Sequence, residues 1–189
     1  MRLLACRSAV RAKRLTYASL VSGSAALRII DNYFTCEFTT LSRDGSPVTW
    51  PVSPRLQADG RLLLTTSIGL PQKAFNIRRN PKVSMLFSEP MGSGVSDPAA
   101  VLIQGDATAA DRIETDVSSD PELEALLETL LRRQPAGAFW STWLGRRVMW
   151  PYYMRLLIYV TPRRAVFWPT RDFTSAPEEL DLAEVLRVG

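Results

Sequence analysis

The spacing of apolar positions changes near residue 35. Before it, Leu20, Val21, Ala25, Leu27, Ile29 and Ile30 recur at about helical spacing, which predicts a helix over residues 15–33. After it, apolar residues come in short runs broken by turn residues. Phe38–Ser42 is predicted as a strand, Arg43-Asp44-Gly45-Ser46 as a hairpin turn and Val48–Leu56 as the returning strand. Asp-Gly supplies the positive φ angles that tight hairpin turns require. Asp59-Gly60 repeats the device before a third strand, Arg61–Thr66. Two Asp-Gly turns this close together predict a meander.

A short helix follows: Gly69 permits a bend, Pro71 suits a first helical turn and Asn80-Pro81 ends it. Lys82–Ser88 is predicted as a fourth strand and Ala100–Ala107 as a fifth, separated by a loop with Pro90, Gly92, Gly94 and Pro98. Asp120-Pro121-Glu122 caps a second amphipathic helix whose apolar face is Leu123, Leu126, Leu127 and Leu130. The aromatic stretch 139–153 is predicted helical. Arg155–Trp168 reads as two strands around Thr161-Pro162-Arg163-Arg164, and the chain from Arg171 as a polar, acidic tail. A meander, a helix and more strands predict a mainly β (α+β) fold, a closed or nearly closed barrel with helices outside. No Gly-x-Gly-x-x-Gly follows a strand and no Walker loop occurs, so the pattern is not that of a dinucleotide-binding or P-loop fold.

Composition narrows the chemistry. At 189 residues with 46% hydrophobic content, one domain can bury its own core. Cys6 and Cys36 are too few for a disulfide scaffold, which points to a reduced, cytoplasmic setting. The absence of histidine excludes Ser-His-Asp and Cys-His catalysis and His-containing zinc sites, and no metal site is expected. Difficult chemistry would fall to a cofactor. No apolar run is long enough to cross a bilayer, so no membrane partner is expected. The first thirty residues carry six basic residues and no acid, and read as a basic helical lead-in. A net charge of +4 favours anionic ligands but is too small to argue for nucleic acid.

The stretch from Leu64 to Pro81 carries the candidate chemistry. A strand ends in Thr65, Thr66 and Ser67, a glycine turn leads into a helix, and Lys73 stands in its first turn with Asn76 three residues on. Free N–H groups at a helix start attract anions, and the hydroxyls and the lysine add donors to one spot. That combination suits a phosphate. The same stretch also reads as a solvated helix start after an ordinary strand.

Four motifs occur together: Asp-Gly-Ser-Pro-Val-x-x-Pro-Val, Leu-x-x-Thr-Thr-Ser, Lys-x-x-Asn-x-Arg-Arg-Asn-Pro-Lys-Val, and a strand with Gln-Gly-x-Ala. Spanning about residues 35–111, they resemble the pyridoxamine 5′-phosphate oxidase-like split-barrel family. The resemblance implies a six-stranded split β-barrel with flanking helices, working as a homodimer. It implies FMN or the deazaflavin coenzyme F-420 as cofactor, bound in clefts at the dimer interface. It implies further that Thr65, Thr66, Ser67, Lys73 and Asn76 hold the cofactor phosphate. Trp50, Pro51 and Val52 would lie beside the ring system, and Gln104 is a candidate polar contact. Pro51 has no N–H to give a ladder, so it also reads as an ordinary edge proline.

The domain plan is then a basic segment and helix over 1–34, a cofactor-binding barrel over 35–170 with a helical insertion at about 112–153, and a polar tail over 171–189. The second-strand arginine of true pyridoxamine-phosphate oxidases is not evident at Val48-Thr49-Trp50, nor is their Arg and His pair near the C-terminus. Vitamin B6 oxidation is therefore not expected. The form Lys-x-x-Asn-x-Arg-Arg-Asn-Pro looks closer to an actinobacterial subgroup that includes deazaflavin-dependent reductases. The expected activity is hydride transfer between FMN or F-420 and a small organic substrate, with no catalytic residue identified. The alternative is a protein that holds flavin, deazaflavin or a tetrapyrrole-like ligand without turnover. The aromatic run Phe139-Trp140, Trp143 and Trp150 to Tyr153 reads as core and dimer packing, or as a lid over the site.

Overall fold

A computed structural model of the chain describes residues 17–115, 121–133 and 155–181. Along these residues run α1 (Tyr17–Asn32), β1 (Cys36–Leu41), β2 (Pro47–Val52), β3 (Arg55–Leu56) and β4 (Leu62–Ser67), then α2 (Gln72–Arg79), β5 (Lys82–Phe87), β6 (Ala100–Glu114), α3 (Pro121–Arg133), β7 (Arg155–Trp168) and β8 (Glu178–Leu180). The N-terminal lead-in up to residue 16, the capping Asp120, the aromatic run 139–153 and the tail beyond residue 181 lie outside the described residues.

Both Asp-Gly turns form. Gly45 and Gly60 hold φ of 85° and 82°. Ser42 N donates to Ser46 O at 2.9 Å across the first turn, and Gln57 N to Arg61 O at 2.8 Å across the second. The acidic residues lock the turns: Asp44 accepts from Ser46 N at 3.1 Å, and Asp59 accepts from Arg61 N at 3.0 Å and pairs with Arg61 Nε at 2.6 Å. The hydroxyl of Ser42, bonded to the Asp44 carboxylate, and the Ser46 N–H lower its pKa to about 2.

The sheet order is β2-β1-β5-β6-β7-β4-β3, with β8 added on β7, and every ladder is antiparallel. β2 and β3 lie at opposite ends of that order, yet only Ser53 and Pro54 separate them in the chain. The sheet therefore rolls round until its two ends meet at this bend. Taken as one bent strand, β2–β3 makes six barrel strands with β1, β4, β5, β6 and β7. The fold is mainly β, a six-stranded split barrel with flanking helices.

Alternation along the strands sorts the core. Phe38, Val52, Leu62, Leu64, Met85, Phe87, Val101, Ile103, Ile158 and Val160 fill the interior, where Ala26, Ile29 and Ile30 of α1 join them. Leu63 of β4 and Leu157 of β7 point the other way and pack with Leu123, Leu126 and Leu127 of α3. Strands covered on both faces carry continuous apolar runs, which is why Leu62-Leu63-Leu64 and Leu156–Val160 do not alternate.

Four boundaries differ from the sequence expectation. Val48–Leu56 is two strands, because Pro54 offers no N–H to a ladder and the chain bends there to change partners. β6 runs on to Glu114, past the expected end at Ala107 and into the expected insertion. Arg155–Trp168 is one strand, not two: Gln104 pairs with Arg164 and Gly105 with Pro162, so Thr161-Pro162-Arg163-Arg164 holds a bulge at Arg163 rather than a turn. At the bulge the β7 backbone comes so near that a Cβ on Gly105 would run into the Thr161 carbonyl oxygen. The polar tail contributes β8, whose Leu180 reaches the core.

Candidate functional site

The barrel is open along one seam. β3 pairs with β4 only through Arg55↔Leu63 and Leu56↔Leu62. Carried back along the chain, that register would set Ser53 opposite Thr65, Val52 opposite Thr66 and Pro51 opposite Ser67. These residues do not pair; at Ser53-Pro54 the chain leaves β4 and joins β1, where Pro51 pairs with Glu37 and Trp50 with Phe38. The two segments singled out from the sequence are thus the two lips of the split. β2 has no neighbour beyond β1, so its Pro51 costs no ladder bond.

α2 follows the β4 lip in the chain and packs against β1 and β6. Thr66 Oγ1 donates to Leu70 O at 2.7 Å and Gly69 N donates to Ser67 Oγ at 3.3 Å, so two of the hydroxyls shape the turn into the helix. The Pro71 side chain gives no capping hydrogen bond. The first-turn N–H groups and the positive end of the helix dipole are therefore left to attract an anion.

Lys73 occupies this place. It is only 9% exposed. Its Nζ lies 5.0 Å from the ring centroid of Trp50, on the opposite lip. Among the described residues it has no hydrogen-bond or ion-pair partner. Burial, and then the nearby Arg155 guanidinium, lower its pKa below the usual lysine value. Arg155 is itself buried; it pairs with Ser67 across the β4–β7 ladder and with Glu114 on β6. Two buried cations from different elements thus come together beside an uncapped helix start.

Asn76 is placed differently. It is fully buried, and its Nδ2 donates to Thr40 Oγ1 at 2.9 Å. Its Oδ1 accepts from Gln72 Nε2 at 3.0 Å and from Arg79 at 2.5 Å. These bonds tie α2 to the end of β1, while Ile77 enters the core. Gln104 is exposed and accepts from Arg164 NH1 at 3.1 Å. It sits opposite Arg164, far along β7 from Arg155, so the structure does not bring it to the split. Across the split the structure brings Lys73 to Trp50, while Pro51 and Val52 stand on β2 and Thr65, Thr66 and Ser67 on β4, the strands on its two sides. The described residues hold no cluster suited to a metal ion, and no helix among them is long and apolar enough to cross a membrane.

No protein-family model and no curated protein matches the sequence. Solved structures do match its fold. A protein related to general stress protein 26, of the pyridoxinephosphate oxidase family, from Clostridium acetobutylicum superposes with a TM-score of 0.54 at 13% identity, over 90% of this chain and 99% of that one. The chain has the fold of the pyridoxamine 5′-phosphate oxidase-like split barrels. A conserved hypothetical protein from Mycobacterium tuberculosis gives a TM-score of 0.53 at 21% identity, over 83% and 91% of the two chains. A heme binding protein from Mycobacterium smegmatis gives 0.54 at 16% identity, over 92% of this chain and 61% of that chain.

Arg155 is the member of the site that the sequence reading of this split barrel missed. A single arginine before a strand matches no motif. The available signal was its position at the head of the run Leu156-Leu157-Ile158, where a charge is placed to be buried.

Proposed function

We propose that this split barrel holds the phosphate of FMN or coenzyme F-420 at the start of α2 and serves as an oxidoreductase acting on a small organic substrate. The observation that carries the reading is Lys73: a cation more than nine-tenths buried, without an acidic partner among the described residues, at an uncapped helix start. A buried unpaired charge is costly. An anionic ligand reaching this place would offset that cost, and a phosphate suits several converging donors.

When bound, the isoalloxazine or deazaflavin ring supplies the hydride chemistry. The chain's own residues bind and orient. Lys73, the free N–H groups of the first α2 turn and the half-buried Thr65 and Ser67 would hold the phosphate oxygens, with Arg155 adding positive potential behind Ser67. The Trp50–Val52 lip would lie along the ring, where backbone groups without a ladder partner are free to bond it. No histidine is present, so any proton would have to move through a carboxylate, Tyr, Lys, Cys or water.

A second reading is retention of a ligand without turnover. The similarity in fold to a heme binding protein keeps a tetrapyrrole within it. The phosphate-suited start of α2 favours the flavin or deazaflavin, and the lack of histidine removes the commonest protein ligand to heme iron. Mass spectrometry and absorbance of protein purified from its own host test the cofactor. Sustained reduction of an electron acceptor by protein loaded with reduced cofactor tests turnover. A tetrapyrrole as the only co-purifying ligand would overturn the proposal.

A further inference from the structure

We propose that Trp50 is a positioning residue whose ring face holds the Lys73 ammonium at the split, ready for the phosphate. The inference rests on the reading of the site given above and adds a role for Trp50 distinct from contact with the cofactor ring. No carboxylate among the described residues pairs with Lys73. The α2 start is the positive end of the helix dipole, and Arg155 is a second cation close enough to disfavour the ammonium. Burial disfavours it too. A lysine stem is flexible enough to withdraw from such a place.

What opposes withdrawal is an aromatic face. The Trp50 ring centroid lies 5.0 Å from Lys73 Nζ, within the range where the negative face of an indole attracts a cation. The ring is itself anchored. Trp50 stands opposite the fully buried Phe38 in the β1–β2 ladder and packs against the barrel core. The indole therefore spans the seam: rooted in β2, it fixes a side chain that arrives from α2. Trp50 acts on the phosphate through Lys73, apart from any contact of the lip with the cofactor ring.

The experiment is a double-mutant cycle on the full chain, stripped of cofactor and titrated with FMN and with riboflavin, which lacks the phosphate. Trp50→Leu removes the π face while keeping an apolar side chain; Trp50→Phe keeps a weaker face. Trp50→Leu is expected to weaken FMN binding about fivefold to tenfold more than it weakens riboflavin binding. That excess is expected to vanish in a Lys73→Ala background. Trp50→Phe is expected to fall between the parent and the leucine variant for FMN. Should the leucine variant fail to fold, the phenylalanine variant must still weaken FMN more than riboflavin. Equal losses for FMN and riboflavin, or the same loss with and without Lys73, would show that Trp50 acts through the cofactor ring and not through Lys73, and would overturn the inference alone. Unchanged FMN binding in Lys73→Ala would overturn the phosphate site and this inference together.

Discussion

Lys73 and Asn76 lie three residues apart on one short helix, yet the structure gives them opposite tasks. Lys73 is buried without an acidic partner among the described residues, whereas both ends of the Asn76 amide are engaged. Replacing Lys73 with Ala should weaken FMN binding about tenfold, the loss of one charge-assisted contact, with little change in melting temperature. Replacing Asn76 with Ala should instead cost about 2–3 kcal/mol of stability, because the buried Thr40 hydroxyl loses its partner. Denaturant unfolding beside FMN titration separates the two. A binding loss at Asn76 with stability intact would return it to the phosphate. Lys73 also sets a pH dependence. Its pKa is lowered from 10.5 in the folded state by burial and then by Arg155. Between that lowered value and 10.5 the unfolded chain binds the extra proton, so stability rises with pH; below it the buried ammonium opposes folding. Lys73→Met should therefore melt higher than the parent near neutral pH, and the gap should shrink as the pH climbs toward 10.5. A gap that does not change with pH would contradict the burial of this ammonium.

The elements read from the sequence were those with strong local causes. Asp44-Gly45 and Asp59-Gly60 fix their turns by backbone geometry and short-range bonds, so both were legible. Pro71 and Asn80-Pro81 bounded α2 for similar reasons. The features that were not legible depend on a strand's neighbours. Thr161-Pro162-Arg163-Arg164 has the composition of a turn, but β6 on one side and β8 or β4 on the other hold β7 continuous and absorb Arg163 as a bulge. Pro54 reads as part of a strand until the barrel requires a change of partner there. Gly105 can be tested at this scale. Its missing side chain admits the Thr161 carbonyl, so Gly105→Ala should destabilise by about 3 kcal/mol, a fall in melting temperature of roughly 6–12 °C. An unchanged melting temperature would mean that the bulge relaxes away. The site was half legible for the same reason. Thr65, Thr66, Ser67 and Lys73 lie close together in the chain, while their meeting with Trp50 and Arg155 is made by the closure of the barrel.

At the scale of the molecule, the split leaves two strand lips and an apolar edge to be covered. Leu70, just before α2, and Phe75, on it, are 69% and 48% exposed. We expect a homodimer that covers this side and helps to enclose the cofactor; sedimentation showing a concentration-independent monomer with cofactor bound would contradict it. The homodimer would enclose what is proposed for Lys73, a buried lysine at the start of α2 that reads the phosphate of the cofactor. The most direct measurement is the ratio of FMN to riboflavin affinity in the cofactor-free parent and in Lys73→Ala, taken at one pH and salt concentration. The parent should prefer FMN by about tenfold or more, and Lys73→Ala should lose most of this preference while its affinity for riboflavin stays the same. A preference that survives the substitution intact would place the phosphate elsewhere and contradict the account.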